Sequence, residues 1–123
     1  GNDSTAAALT AVLYHLAADA ARQERVRDEV NTALATTDAA RAAELSPAHT
    51  PYLCAFIKEA LRLKPPFPTL VARFAHTPVA PDGFALANGA VHVAPGVAIS
   101  VDARRVNTDA AVWGDDAADF RPE

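Results

Sequence analysis

The sequence predicts a mainly α-helical chain with a small β portion, and three observations carry that reading. Proline is absent from residues 1–46; all nine prolines lie beyond, as do four of the five glycines. Helix breakers therefore spare the first part and fill the last with turns. Apolar residues recur at helical spacing before Pro65, whereas residues 97–101 alternate apolar and polar, as strands do. Asn88-Gly89 between two short apolar runs is a hairpin signal, because both turn positions need positive φ.

The elements follow in order. Residues 5–18 form an unbroken Ala, Leu and Val run, apolar almost all round, which predicts a buried helix. Asp19 is placed to cap a second helix over 20–34. There Val26, Val30 and Leu34 recur every four residues against a face of Arg and Glu. Residues 35–49 read as a connector with one helical turn near 39–45. Thr50 suits the N-cap of a third helix, and Pro51 suits its first position, where no N–H is needed. Leu53, Phe56, Ile57, Ala60, Leu61 and Leu63 share one face of that helix. Lys58, Glu59 and Arg62 fall on the other, and Pro65 and Pro66 end it. Beyond lie a strand over 69–75, the hairpin arms 84–87 and 90–93, a strand over 97–101 with one buried face, and short helical turns within 109–119.

Length and composition exclude several classes. At 123 residues a single domain is expected, helical over 1–64 and built of strands, turns and short helices over 65–123. A net charge of −4 leaves no basic stripe for nucleic acid. One cysteine, Cys54, rules out an internal disulfide framework and a multi-cysteine zinc site. No run of 18 or more apolar residues is long enough to span a membrane, and no signal peptide opens the chain. Without any Met, and opening in what reads as the interior of an element, the chain is expected to be a piece of a longer protein.

Glu59 and Arg62, taken alone, read as a solvated i,i+3 ion pair worth about 0.2–0.5 kcal/mol. Their context is sharper. Lys58-Glu-Ala-Leu-Arg-Leu63 is followed by a double proline and then by Arg73 in Thr69-Leu-Val-Ala-Arg73. Gly1-Asn-Asp-Ser-Thr5 precedes an apolar helix. Val112-Trp-Gly-Asp-Asp-Ala-Ala-Asp-Phe-Arg-Pro-Glu123 closes the chain, and Val93-Ala-Pro-Gly-Val97 and Leu13-Tyr-His-Leu-Ala17 lie between. In this order the segments resemble the distal half of a haem-thiolate monooxygenase, a cytochrome P-450. The match runs from the oxygen-activating helix through the E-x-x-R helix to the segment before the haem-ligand loop. One departure stands out: Asn107-Thr-Asp-Ala110 replaces the frequent His-x-Asp-Pro.

The resemblance implies roles by position. Glu59 and Arg62 would be a buried structural clamp, joined by an Arg at the residue after Glu123. Asp3 and Ser4 match the acid–alcohol pair that delivers protons to oxygen in an otherwise apolar pocket. Gly1 would leave room for oxygen beside the helix. Ser4 stands where Thr is usual, keeping the hydroxyl but losing the methyl that restricts its rotamer. Read without the resemblance, Asn2, Asp3 or Ser4 simply caps the helix. Arg73 would pair with a haem propionate, which a guanidinium binds in bidentate fashion. Phe67, Pro68, Thr69, Leu70 and Val71 would face the substrate. His15 is expected to be a packing or surface residue.

The implied activity is insertion of one oxygen atom from O₂ into a small apolar substrate, with haem as cofactor and an electron-donating reductase as partner. The metal ligand is expected beyond residue 123. Cys54 lies in the wrong motif and reads as core packing. The 123 residues alone are thus expected neither to ligate haem in the family manner nor to oxidise anything. Many members of the family are membrane-associated through a preceding segment, and the compartment is not legible here. Two other readings stay open: a non-enzymatic helical interaction module, and a degenerate product of the same family.

Overall fold

The computed structural model describes residues 2–36, 47–74 and 81–122. The helical turn expected at 39–45, Ala75 at the end of an expected strand, and Gly1 lie outside the described residues. The chain forms two compact units, one from residues 1–67 with 104–123 and the other from 68–103.

The first unit is built on α1 (Asp3–Ala18), α2 (Ala20–Thr36) and α3 (Pro51–Leu63), which pack against one another. Asp19 separates the first two in an extended conformation, and its carboxylate accepts the Arg22 N–H at 3.0 Å, the expected N-cap. Val26, Tyr52 and Phe56 form the core, with Val12, Leu16, Val30, Leu53 and Phe120 packed around them. Phe56 and Ala60 are wholly buried. Leu34 is exposed and Ala33 takes the inward position, because a 3.6-residue repeat returns to the face of Val26 at 33 rather than 34.

The buried helix expected over 5–18 is present but not buried. Only Ala11 is enclosed, while Leu9, Leu13 and Tyr14 are exposed. A helix apolar on all sides needs neighbours on all sides. Here α2 and α3 cover one flank, and no described residue covers Leu9 and Leu13.

Capping of α3 also differs from expectation. Thr50 flanks the helix without a capping side-chain bond. Glu29 of α2 takes the role instead: its Oε1 accepts the Tyr52 N–H and its Oε2 the Leu53 N–H, each at 2.8 Å. A carboxylate at this end also complements the helix dipole. Next to it, the Arg25 guanidinium lies 3.8 Å from the Tyr52 ring centroid. Glu29→Ala is therefore expected to lower stability by about 2 kcal/mol in urea unfolding, the upper end for a lost cap. Thr50→Ala should show no comparable loss of a cap.

In the second unit, β1 (Arg73–Phe74) pairs antiparallel with β4 (Ala98–Ile99), Arg73 opposite Ile99. A separate bridge joins Thr69 to Asp102. The strands expected over 69–75 and 97–101 are thus interrupted. Leu70 donates its N–H to the Val101 carbonyl, but the Ser100 hydroxyl occupies the Leu70 carbonyl, a side-chain bond replacing a ladder bond. Val97 and Val101 are exposed, so Ile99 alone is inward of the alternating set.

Strands β2 (Phe84–Leu86) and β3 (Val91–Val93) make the expected hairpin, with Leu86 opposite Val91. Its loop is four residues rather than two. Ala87, Asn88 and Gly89 all take positive φ, and the Ala90 N–H returns to the Ala87 carbonyl. Gly83 opens the hairpin at φ +81°, where any Cβ would collide with the Val93 carbonyl.

Two short helices follow, α4 (Ala103–Asn107) and α5 (Ala110–Trp113). Asp109 caps α5 by accepting the Ala111 N–H at 3.0 Å. Turns lead from Gly114 to Phe120.

Candidate functional site: a buried ion pair and an apolar cavity

Glu59 and Arg62 lie one turn apart on the face of α3 that its apolar repeat leaves polar. Periodicity alone assigns that face to solvent. Their side chains nevertheless retain only 11 % and 9 % exposure. Arg62 Nε donates to Glu59 Oε2 and Nη2 to Oε1, both at 2.7 Å, a bidentate pair. The rest of the guanidinium serves backbone carbonyls: Nη1 donates to Asn107 at 2.7 Å and Ala117 at 2.6 Å, and Nη2 to Asp119 at 3.1 Å. Every N–H of the fork therefore has an acceptor.

The contacts are reciprocated. Asn107 Nδ2 donates to the Arg62 carbonyl at 3.2 Å, and the Arg121 N–H donates to Glu59 Oε1 at 2.8 Å. Trp113 stands 5.0 Å from the guanidinium, held by its own Nε1–H bond to Val106. An open cavity of about 490 Å³ adjoins the pair, bordered by Lys58, Trp113, Asp116 and Arg121. Asp116 and Arg121 are themselves paired.

Electrostatics follow the geometry. Burial opposes ionisation of Glu59, but hydrogen bonds from Arg62 and the Arg121 N–H, with the Arg62 charge, outweigh it and hold its pKa below the ordinary carboxylate value. The hydrogen bond to Glu59 raises the Arg62 pKa against the opposing effect of burial.

The other expected site residues fall in both units. Asp3 begins α1, exposed to solvent, and Ser4 beside it is half-buried. Asn2 precedes them without a capping side-chain bond, so the plain cap reading fails at that residue. In the second unit, Leu70, Val71 and Arg73 join Phe84, Leu86, Ile99 and Val101 around a cavity of about 570 Å³. Among the described residues its wall is apolar except for one guanidinium. Pro68 and Thr69 belong to the same unit but do not line it: the Pro68 carbonyl accepts the Ala103 N–H, and Thr69 bridges to Asp102. Phe67 belongs to the first unit, exposed.

The cytochrome P450 family model matches residues 1–123, the entire chain. The chain belongs to the cytochrome P450 family. Cytochrome P450 4F2 of Homo sapiens is 37 % identical over 127 aligned positions, covering 100 % of this chain and 23 % of the relative. Cytochrome P450 71A16 of Arabidopsis thaliana is 40 % identical over 72 positions, 58 % of this chain. A zebra fish cytochrome P450 solved with progesterone superposes at a TM-score of 0.79 with 23 % identity, covering 100 % of this chain and 27 % of that one. The fold is thus a partial, mainly α P450 fold, and the chain spans about a quarter of the length of the relatives it matches.

P450 membership implies haem in the complete protein. The apolar cavity bordered by Arg73 suits a flat apolar group bearing a carboxylate, so the residues present fit that end of the cofactor. Among the described residues no cluster of His, Cys, Asp or Glu could hold a bare metal ion, and Cys54 is half-buried on α3. No helix among them is long and apolar enough to cross a membrane. Sequence reasoning gave no role of their own to three residues of this P450 chain: Glu29, Asn107 and Phe120. Asn107 had a signal, since it opens the segment that departs from the usual family pattern. Glu29 had none, because its partners belong to another helix.

Proposed function

We propose that the chain is part of a monooxygenase that inserts one oxygen atom of O₂ into a small apolar substrate, with an electron-donating reductase as partner. The observation that carries this reading is the family match over the whole chain. Haem, when bound, supplies the activation of O₂. Asp3 takes protons from water and the Ser4 hydroxyl passes them toward the reacting oxygen, a route suited to one exposed and one half-buried group. Arg73 would hold a propionate, and Leu70 and Val71 would present the apolar wall that selects the substrate; Phe67, Pro68 and Thr69 would belong to the same substrate-facing segment.

Glu59 and Arg62 touch no reactant in this scheme. They clamp the segment from Asn107 to Arg121 onto α3. Cys54 packs and does not ligate iron, so these 123 residues alone are expected to give no reduced, CO-bound band at the family's characteristic wavelength. In the complete protein, supplied with isotopically labelled O₂, one labelled atom is expected in the product. Ser4→Ala should lower product formed per electron pair by about 100-fold, with the remaining electrons recovered as hydrogen peroxide. An unchanged ratio removes Asp3 and Ser4 from the proton route; product without label overturns the reaction itself.

A further inference from the structure

Three helices of the first unit meet on Phe120. His15 of α1 stacks on its ring, centroids 4.1 Å apart and planes 18° apart. Phe56 of α3 approaches edge-on at 4.7 Å. Arg22 of α2 lies 5.1 Å from the ring centroid and donates to the Phe120 carbonyl at 3.0 Å. The next residue, Arg121, gives its N–H to Glu59. Whatever holds Phe120 therefore also holds the last contact of the ion pair.

His15 Nε2 is buried and has no hydrogen-bond partner among the described residues. Imidazole N–H bonds lie in the plane of the ring, so the parallel face of Phe120 cannot accept them. A neutral imidazole can leave Nε2 as a bare acceptor, whose unmet lone pair is tolerable. Protonation makes it a cationic donor without an acceptor, a far larger penalty in a desolvated site.

The charged neighbours reinforce this. Arg22 faces His15 from α2, and Lys64 faces it from the end of α3, its Nζ 3.9 Å from the Tyr14 ring centroid. Tyr14 meets His15 edge-on at 5.2 Å. Among the described residues Glu59 is the one carboxylate acting on it, and that group is already engaged by Arg62 and Arg121. Burial first, then Lys64 and Arg22, hold the His15 pKa below its ordinary value, with Glu59 opposing.

We infer that His15 is a pH-sensitive latch: neutral, it keeps Phe120 seated and the Arg121–Glu59 bond made; protonated, it leaves the stack and releases that segment. The latch is independent of the proposed reaction. Its folded-state pKa lies below the unfolded value of about 6.5. Its contribution to stability is therefore complete above that pH and is lost as pH falls through the folded value.

The test is an NMR titration of the isotopically labelled 123-residue chain from about pH 8 to 5, the range in which histidine switches. His15 ring resonances report its pKa, and the Arg121 amide protection factor reports the segment. His15 should titrate below its ordinary value, with Arg121 protection falling at least tenfold at the same midpoint. His15→Phe, which keeps a stacking ring and cannot titrate, should retain protection throughout. His15→Gln, lacking the ring, should show weak protection at every pH. A His15 pKa at or above the ordinary value overturns the inference. So does an equal loss of protection in His15→Phe, or, should that variant not fold, a mismatch of the two midpoints in the parent chain.

Discussion

Arg62→Ala is expected to destabilise the chain by about 3–5 kcal/mol, the range for breaking a buried pair from one side. The substitution strands the Glu59 carboxylate at 11 % exposure and leaves the carbonyls of Asn107, Ala117 and Asp119 without their donor. Urea unfolding should show a lower midpoint with little change in slope. Arg62→Lys should recover only a minor part, because an ammonium cannot reproduce a planar fork that serves one carboxylate and three carbonyls. A loss of only a few tenths of a kcal/mol would return the pair to the class of solvated surface bridges. Acid should act on the same contact. Since the Glu59 pKa is lowered in the folded state, its contribution is complete above the ordinary carboxylate value and is lost as pH falls through the lower folded one.

Phe56→Ala is expected to have an effect of similar size, about 3–5 kcal/mol, through the cavity it opens. Phe56 is the one large side chain among the described residues that is fully buried, and it touches Tyr52 and Phe120 edge-on. Collapse around the vacancy is hindered because each neighbour is also tied elsewhere: Tyr52 under Arg25, Phe120 under His15 and Arg22. Phe56→Leu should be milder. The double variant with Phe120→Ala should be less damaging than the sum of the single ones, since both empty one space. Strict additivity in urea unfolding would show that the two rings do not share a cavity wall.

The helices were legible because their signals are local. Asp19 caps, Pro51 starts and Pro65 stops through atoms within a few residues of themselves. The environment of Glu59 and Arg62 was not legible in that way. A helical wheel ranks faces of one helix and is blind to a later segment lying over the polar one. Only the family resemblance pointed toward burial. Thr50 was a sound local cap that lost to Glu29, a competitor whose approach depends on how α2 meets α3. The hairpin was visible in Asn88-Gly89, but its length was set by Ala87 joining the positive-φ run. Of the residues assigned to chemistry, Leu70, Val71 and Arg73 are gathered on one cavity. Asp3 and Ser4 were read from residue type and order, and they stand on the other unit.

The Arg62 fork has a kinetic consequence. Its carbonyl partners lie 45 to 57 positions along the chain, in a stretch whose own elements are one or two turns long. Such a stretch has little to nucleate it alone, and long-range closure must precede any reward from its contacts. Folding of the first unit should therefore be sequential, with α3 forming early against α1 and α2 and acting as a template on which the final segment orders last. A ribosome-bound chain ending at residue 100 would hold a helical core with the Arg62 fork still waiting for its acceptors.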